Sequence, residues 1–250
     1  MFNKFKVGVI VFIISLFIIG CMSLKTHVPN VEIKKYTNEY SIGSENFVYL
    51  IKQLTPMISC VEPEACPPVI GATASGFILS HDKSSIFVMT AAHFCIPEED
   101  AMFFEEDILG YANDTPRYLH LLYLDEKTDI CLLFGIKEKG DKFNNLKLAK
   151  KHTIGEKLYT VAAPVGMGGP GKRLIFTGIM GGCDNEVCMS TIPATFGSSG
   201  GAIYNSKSEL VSIVMAVPKD FDHIVLSPSN KDIIKFIEDI DSIVDIYPYN

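Results

Sequence analysis

The chain has 250 residues, 48% of them hydrophobic and 20% charged, enough to bury one large core or two small ones. That excludes a small disulfide scaffold and a disordered segment. A formal charge of -7 with no local concentration of Lys and Arg leaves no footprint for a phosphate backbone, so nucleic acid is not an expected partner.

In chain order, residues 1–6 carry two lysines and no acid, and residues 7–20 then run almost unbroken apolar to Cys21. This is the pattern of an export signal. At about fourteen residues the apolar run falls short of the roughly twenty that span a bilayer. Ile18-Ile19-Gly20-Cys21 resembles the bacterial lipobox, which implies that residues 1–20 form a signal peptide removed ahead of a lipidated Cys21. An ordinary signal cleaved elsewhere and a short uncleaved anchor are the alternatives, and each places the folded part outside the cytoplasm. Residues 21–46 are polar and mixed, without a sustained period, and read as a tether between membrane and domain.

Beyond Cys21, six cysteines stand in a compartment that permits disulfides: Cys60, Cys66, Cys95, Cys131, Cys183 and Cys188. Spacing does not choose among their pairings in general, but Cys183 and Cys188 bracket a short turn and are the expected pair. Zinc is disfavoured, because no Cys-x-x-Cys spacing occurs and no histidines cluster near these positions in the sequence.

The region from residue 47 onward reads as strands. Short apolar runs at 76–79, 86–89, 119–124 and 130–134, and then at 157–163, 173–180, 187–192, 201–204 and 210–217, are each bounded by turn-forming or charged residues. Strands at this spacing with few helical periods between them predict an all-β barrel or sandwich. One helix is expected at the end, about 229–244, where Ser229 or Asn230 can cap a segment with Ile233, Ile234, Ile237 and Ile240 on one face.

Three short motifs carry chemistry. His93 follows an apolar run in Thr90-Ala91-Ala92-His93, Asp129 opens another in Thr128-Asp129-Ile130-Cys131, and Ser199 lies in Gly197-Ser198-Ser199-Gly200-Gly201. Peptide hydrolysis by serine needs a hydroxyl, an imidazole to take its proton, a carboxylate to orient the imidazole, and backbone donors for the oxyanion. His93, Asp129 and Ser199 are the candidates for the first three. The amides of Gly197 and Ser199 are the candidates for the oxyanion hole, on a turn where glycine permits tight bending.

Together these motifs, their order and their spacings of 36 and 70 residues resemble the trypsin-like serine peptidases, most closely the bacterial HtrA-type domain, over roughly residues 72–217. Ala74-Ser75-Gly76-Phe77-Ile78 is similar to that group's strand entering the His, and Ala163-Pro164-Val165-Gly166 to its turn opening the second barrel. The resemblance implies two antiparallel six-stranded β-barrels, at about 47–140 and 146–220 within a domain of 47–250, with the reacting centre at their junction. It also implies a protein or peptide substrate and no metal or organic cofactor. A PDZ domain, which HtrA-type peptidases usually carry, is not expected here. Ser198 departs from the family, whose members carry Asp or Asn there, so activation through a freed N-terminus is not expected. Cys95 departs as well, since Phe94 separates it from the His.

Residues 191–195, including Pro193, and Met215, Ala216 and Val217 resemble the walls of the family's specificity pocket, and none is charged. Val217 stands where a glycine often opens that pocket, which predicts a small or medium apolar residue before the scissile bond. Gly197-Ser198-Ser199-Gly200-Gly201 also satisfies the Gly-x-Ser-x-Gly elbow of α/β-hydrolases, but that elbow opens into a helix, whereas residues 202–204 read as strand. A protease-like fold retained as a binding module is the non-enzymatic alternative.

Overall fold

The computed structural model describes residues 40–56, 67–97, 104–168, 172–184, 187–219 and 223–242, apart from the side chains at 104 and 105. The export segment, Cys21, Cys60 and Cys66 lie outside the described residues. Among those described, no helix is long and apolar enough to cross a membrane.

Six strands close a barrel in the order β1-β2-β3-β6-β5-β4. They are β1 (Phe47–Pro56), β2 (Val69–His81), β3 (Ser85–Ala91), β4 (Phe104–Ala112), β5 (Thr115–Asp125) and β6 (Ile130–Ile136). Every neighbouring pair is antiparallel. β1, β3 and β6 are apolar at consecutive positions because both of their faces are covered. Val48, Leu50, Ile86, Val88, Cys131 and Leu133 fill one buried cluster. The alternate residues Phe47, Tyr49, Ile51, Phe87, Met89, Ile130 and Leu132 enter a second cluster, shared with Tyr159, Val161, Tyr204 and Leu210 from the other half of the domain. Period-two geometry sends neighbours along a strand to opposite faces, so two cores demand an unbroken apolar run.

The second half is a seven-stranded sheet in the order β13-β10-β9-β8-β11-β12-β7. Its strands are β7 (Lys147–Leu148), β8 (Lys157–Ala162), β9 (Leu174–Cys183), β10 (Val187–Ser190), β11 (Ala202–Asn205), β12 (Glu209–Ile213) and β13 (Val225–Pro228). Leu158, Met180, Ile192, Ile203, Val211 and Val225 form its own core. The all-β class is as expected, but this half differs in detail from a six-stranded barrel. β7 joins parallel to β12, β13 lies beyond the expected limit at 220, and the strand order does not close among the described residues.

Residues 41–46, expected within the tether, form a short helix (Ser41–Asn46). The buried Asn46 holds it down: its Nδ2 donates to the Asn144 carbonyl and its Oδ1 accepts from the Asn144 amide, both at 2.9 Å. The terminal helix spans Asn230–Asp241, opened by Ser229, whose hydroxyl accepts from the Asp232 amide while Asp232 accepts from the Ser229 amide. Its buried face is Ile233, Phe236, Ile237 and Ile240, packed into the cluster shared by the two halves.

Candidate active site

His93 lies in a four-residue helix (Ala92–Cys95) directly after β3. The antiparallel register of β3 and β6 pairs Ala91 with Ile130 and Thr90 with Cys131, which brings the ends of these strands together and sets His93 beside Asp129. The Ala92 amide donates to the Asp129 carbonyl at 3.0 Å. The His93 amide donates to Asp129 Oδ1 at 2.8 Å, and the ring Nδ1 stands 2.8 Å from Oδ2.

Asp129 adopts a left-handed backbone, φ 54°, which Asp tolerates better than most residues. The preceding turn imposes it, with Asp125 accepting from the Lys127 amide at 3.0 Å and the Thr128 hydroxyl at 2.6 Å. A carboxylate only accepts, so in the neutral ring Nδ1 carries the proton and Nε2 keeps its lone pair. His93 is about half exposed and Asp129 largely shielded, at 51% and 18%.

A disulfide between Cys95 and Cys131, with Cα atoms 6.5 Å apart, staples the His93 segment to the Asp129 segment two residues beyond each.

Ser199 sits in the loop between β10 and β11, and the carbonyls of residues 196–199 are each anchored. Phe196 O accepts from the Val165 amide at 2.5 Å, Ser198 O from the Gly201 amide at 3.0 Å and Ser199 O from the Ser75 amide at 2.9 Å. Gly197 O accepts from the Ser75 hydroxyl at 2.8 Å. The amide and carbonyl of one peptide unit point in opposite directions. Fixing Phe196 O and Ser198 O therefore turns the amides of Gly197 and Ser199 away from those anchors, and among the described residues neither amide donates to another group.

Two glycines are indispensable to this path. Gly197 (φ 85°) and Gly200 (φ 79°) are left-handed, and a Cβ on Gly200 would run into the Thr90 hydroxyl and the Ser75 carbonyl. The buried Ser198 closes the turn from within. Its amide donates to the Thr195 carbonyl at 2.9 Å and its hydroxyl accepts from the Thr195 amide at 3.3 Å.

Two clefts share His93 and Ser199. One, about 500 Å³, is lined by Lys52, Ala72, Thr73 and Ile96. The other, about 950 Å³, is lined by Asp129, Thr195, Val214, Met215, Ala216 and Val217. Phe196, 87% exposed, borders both. Of the expected pocket residues, Thr195, Met215, Ala216 and Val217 line the larger cleft, whereas Pro193 does not; Phe196, one residue past the expected 191–195, joins the wall. Lys219 adds a charge at that cleft, and Lys52 lies at the smaller one with its ammonium on the Ile96 carbonyl at 2.8 Å and 3.6 Å from Glu106.

Residues 74–213 match the family described as trypsin-like peptidase domain. The chain belongs to the trypsin-like peptidases. No curated protein matches it in sequence. Among solved structures it resembles the serine endoprotease from Yersinia pestis, at 17% identity and a TM-score of 0.60, over 81% of this chain and 65% of that one. The chain thus spans just under two thirds of that relative. It also resembles an inactive serine-to-alanine mutant of Rv3671c from M. tuberculosis H37Rv, at 14% identity and a TM-score of 0.59, over 86% of this chain and 94% of that one. At these identities the likeness is one of fold.

Within that fold Ala202–Asn205 is a strand, the feature that separates this serine loop from a nucleophile elbow. Cys183 and Cys188 are joined as a disulfide across β9 and β10. The fold also does what sequence proximity did not suggest, placing His152 Nε2 2.9 Å from Cys183 Sγ. The potential ligand atoms of His152, Cys183 and Cys188 lie within 4.8 Å of one another, but both sulfurs are committed to each other.

Proposed function

We propose that the chain is a serine endopeptidase acting through His93, Asp129 and Ser199. In this reading a peptide lies across the two clefts with its scissile carbonyl at Ser199 Oγ. His93 Nε2 takes the hydroxyl proton as Oγ attacks the carbonyl carbon, and Asp129 holds the ring and stabilises the imidazolium. The amides of Gly197 and Ser199 donate to the developing oxyanion. As the tetrahedral intermediate collapses, the C–N bond breaks, His93 returns its proton to the leaving amine, and an ester to Ser199 remains. Water activated by the same imidazole then hydrolyses the ester.

The observation that carries this reading is the pair of uncommitted amides flanking a serine, in a cleft shared with an imidazole already bonded to a carboxylate. The apolar Met215, Ala216 and Val217 support a small or medium apolar side chain before the scissile bond. The lysines in residues 1–6, the apolar run and Cys21 support an exported enzyme tethered by a lipid at Cys21. Profiling of a peptide library with the wild type and Ser199→Ala tests the activity. Turnover mainly after Ala, Val or similar residues, abolished in the variant, is expected. Turnover that survives in the variant, or cleavage mainly after Arg, Lys or Glu, contradicts it.

A further inference from the structure

Ser75 belongs to the first half of the domain, on β2, yet it is wholly buried against the serine loop of the second. All of its polar groups are spent there or just behind it. Its hydroxyl accepts from the Ala163 amide at 2.9 Å and donates to Gly197 O at 2.8 Å. Its amide donates to Ser199 O at 2.9 Å, and its carbonyl accepts from the Thr90 hydroxyl at 2.8 Å. The Ala163 amide occupies an acceptor site of the hydroxyl, which leaves the hydroxyl proton for Gly197 O.

Two residues on from Ala163, the Val165 amide donates to Phe196 O. Val165 makes that bond from a left-handed backbone, φ 46° and ψ 36°. A β-branched residue adopts this conformation only where its surroundings impose it.

These bonds fix two consecutive peptide units at the position where the loop is least able to hold itself. Gly197 has no Cβ to restrict its torsions. Rotation of the Phe196–Gly197 unit would present a carbonyl oxygen where an amide donor stands, and would abolish half of the proposed oxyanion hole. We propose that Ser75, together with the Val165 amide, is the positioning element that holds this hole open. Ser198 bonds only within its own turn, so the clamp on this loop comes from across the domain. The inference rests on the reading of Gly197 and Ser199 as oxyanion donors and extends it. The hole is assembled by docking of the two halves.

The test uses the full chain with Ser75→Ala and the conservative Ser75→Thr, a peptide substrate taken from library profiling, and a matched peptide boronic acid as transition-state analogue. The expected result for Ser75→Ala is a kcat lower by roughly 10- to 100-fold with KM nearly unchanged, and a boronic acid affinity weakened by a similar factor, because the lost interaction matters only once negative charge develops. Ser75→Thr restores much of the loss.

An unchanged kcat in folded Ser75→Ala, or a loss confined to KM, overturns the inference. Should Ser75→Ala fail to fold, the Gly197 amide resonance of the free wild type decides. One sharp signal is expected, and two signals or exchange broadening contradict a clamped loop. A folded wild type with no turnover on any peptide would instead sink the endopeptidase reading, a different outcome from either.

Discussion

Replacing both Cys95 and Cys131 with alanine removes the cross-link that pins the His93 helix to β6, and its cost follows from their sequence separation of 36. Loop-closure entropy lost by the unfolded chain amounts to about 4 kcal/mol for a loop of this size, against about 2 kcal/mol for the five-residue separation of Cys183 and Cys188. The β3–β6 ladder remains, from Ser85 opposite Ile136 to Ala91 opposite Ile130, so the folded state loses little besides the sulfurs. The larger part of the effect therefore acts on the unfolded state. For a domain of this size the loss lowers Tm by roughly 10 °C. Thermal melts by circular dichroism on the wild type and on each double-alanine variant measure it, with the Cys183/Cys188 variant expected to fall about half as far. A shift of under about 2 °C for Cys95/Cys131, or the reverse ranking of the two variants, refutes the entropic argument.

The remaining predictions concern single side chains. Arg117 and Asp141 form a buried bidentate pair at 2.6 and 3.2 Å. Arg117→Met strands the carboxylate and is expected to cost about 3–5 kcal/mol in urea unfolding, much of it recovered by adding Asp141→Asn. The buried Tyr204 hydroxyl has no hydrogen-bond partner among the described residues, so Tyr204→Phe is expected to stabilise by about 1 kcal/mol. Burial, and secondarily Tyr159, hold the Tyr204 phenol well above its usual value of 10.0. The unfolded state thus releases this proton first, stability falls as pH rises past about 10, and Tyr204→Phe flattens that alkaline fall in melts recorded from pH 8 to 11. Val217→Gly opens the larger cleft and is expected to raise kcat/KM for peptides with Phe or Tyr before the scissile bond by roughly tenfold. An unchanged library profile contradicts the assignment of Val217 to the pocket wall.

How much of this was legible in the sequence depended on whether the relevant order is local. His93, Asp129 and Ser199 sit in short motifs whose residue types point to the proposed chemistry, and Asp125-Glu126-Lys127-Thr128 encodes the turn before Asp129. The terminal helix announced itself through Ser229 and its isoleucines, although Phe236 proved part of the buried face while Ile234 is only half buried. β1 was not picked out, although residues 47–51 form an apolar run like those of β3 and β6, and β4 was missed because Glu105, Glu106 and Asp107 interrupt its apolar residues.

Contacts between distant segments left no local mark. Ser75 looks like one small residue in a strand until Gly197 is placed 122 positions away against it. The Cys95–Cys131 pairing follows from the β3–β6 register, which the sequence alone does not fix. His152 meets Cys183 for the same kind of reason. Pro193 and Phe196 are three residues apart on one loop, and only its path decides which of them faces the cleft.

The central claim is that Ser199 is an activated nucleophile. It is tested most directly by treating the folded chain with a fluorophosphonate and locating the adduct by peptide mass mapping, alongside His93→Ala and Ser199→Ala. The account predicts a single stoichiometric adduct on Ser199, lost in both variants. No adduct on the folded wild type, or an adduct that persists in Ser199→Ala, contradicts it.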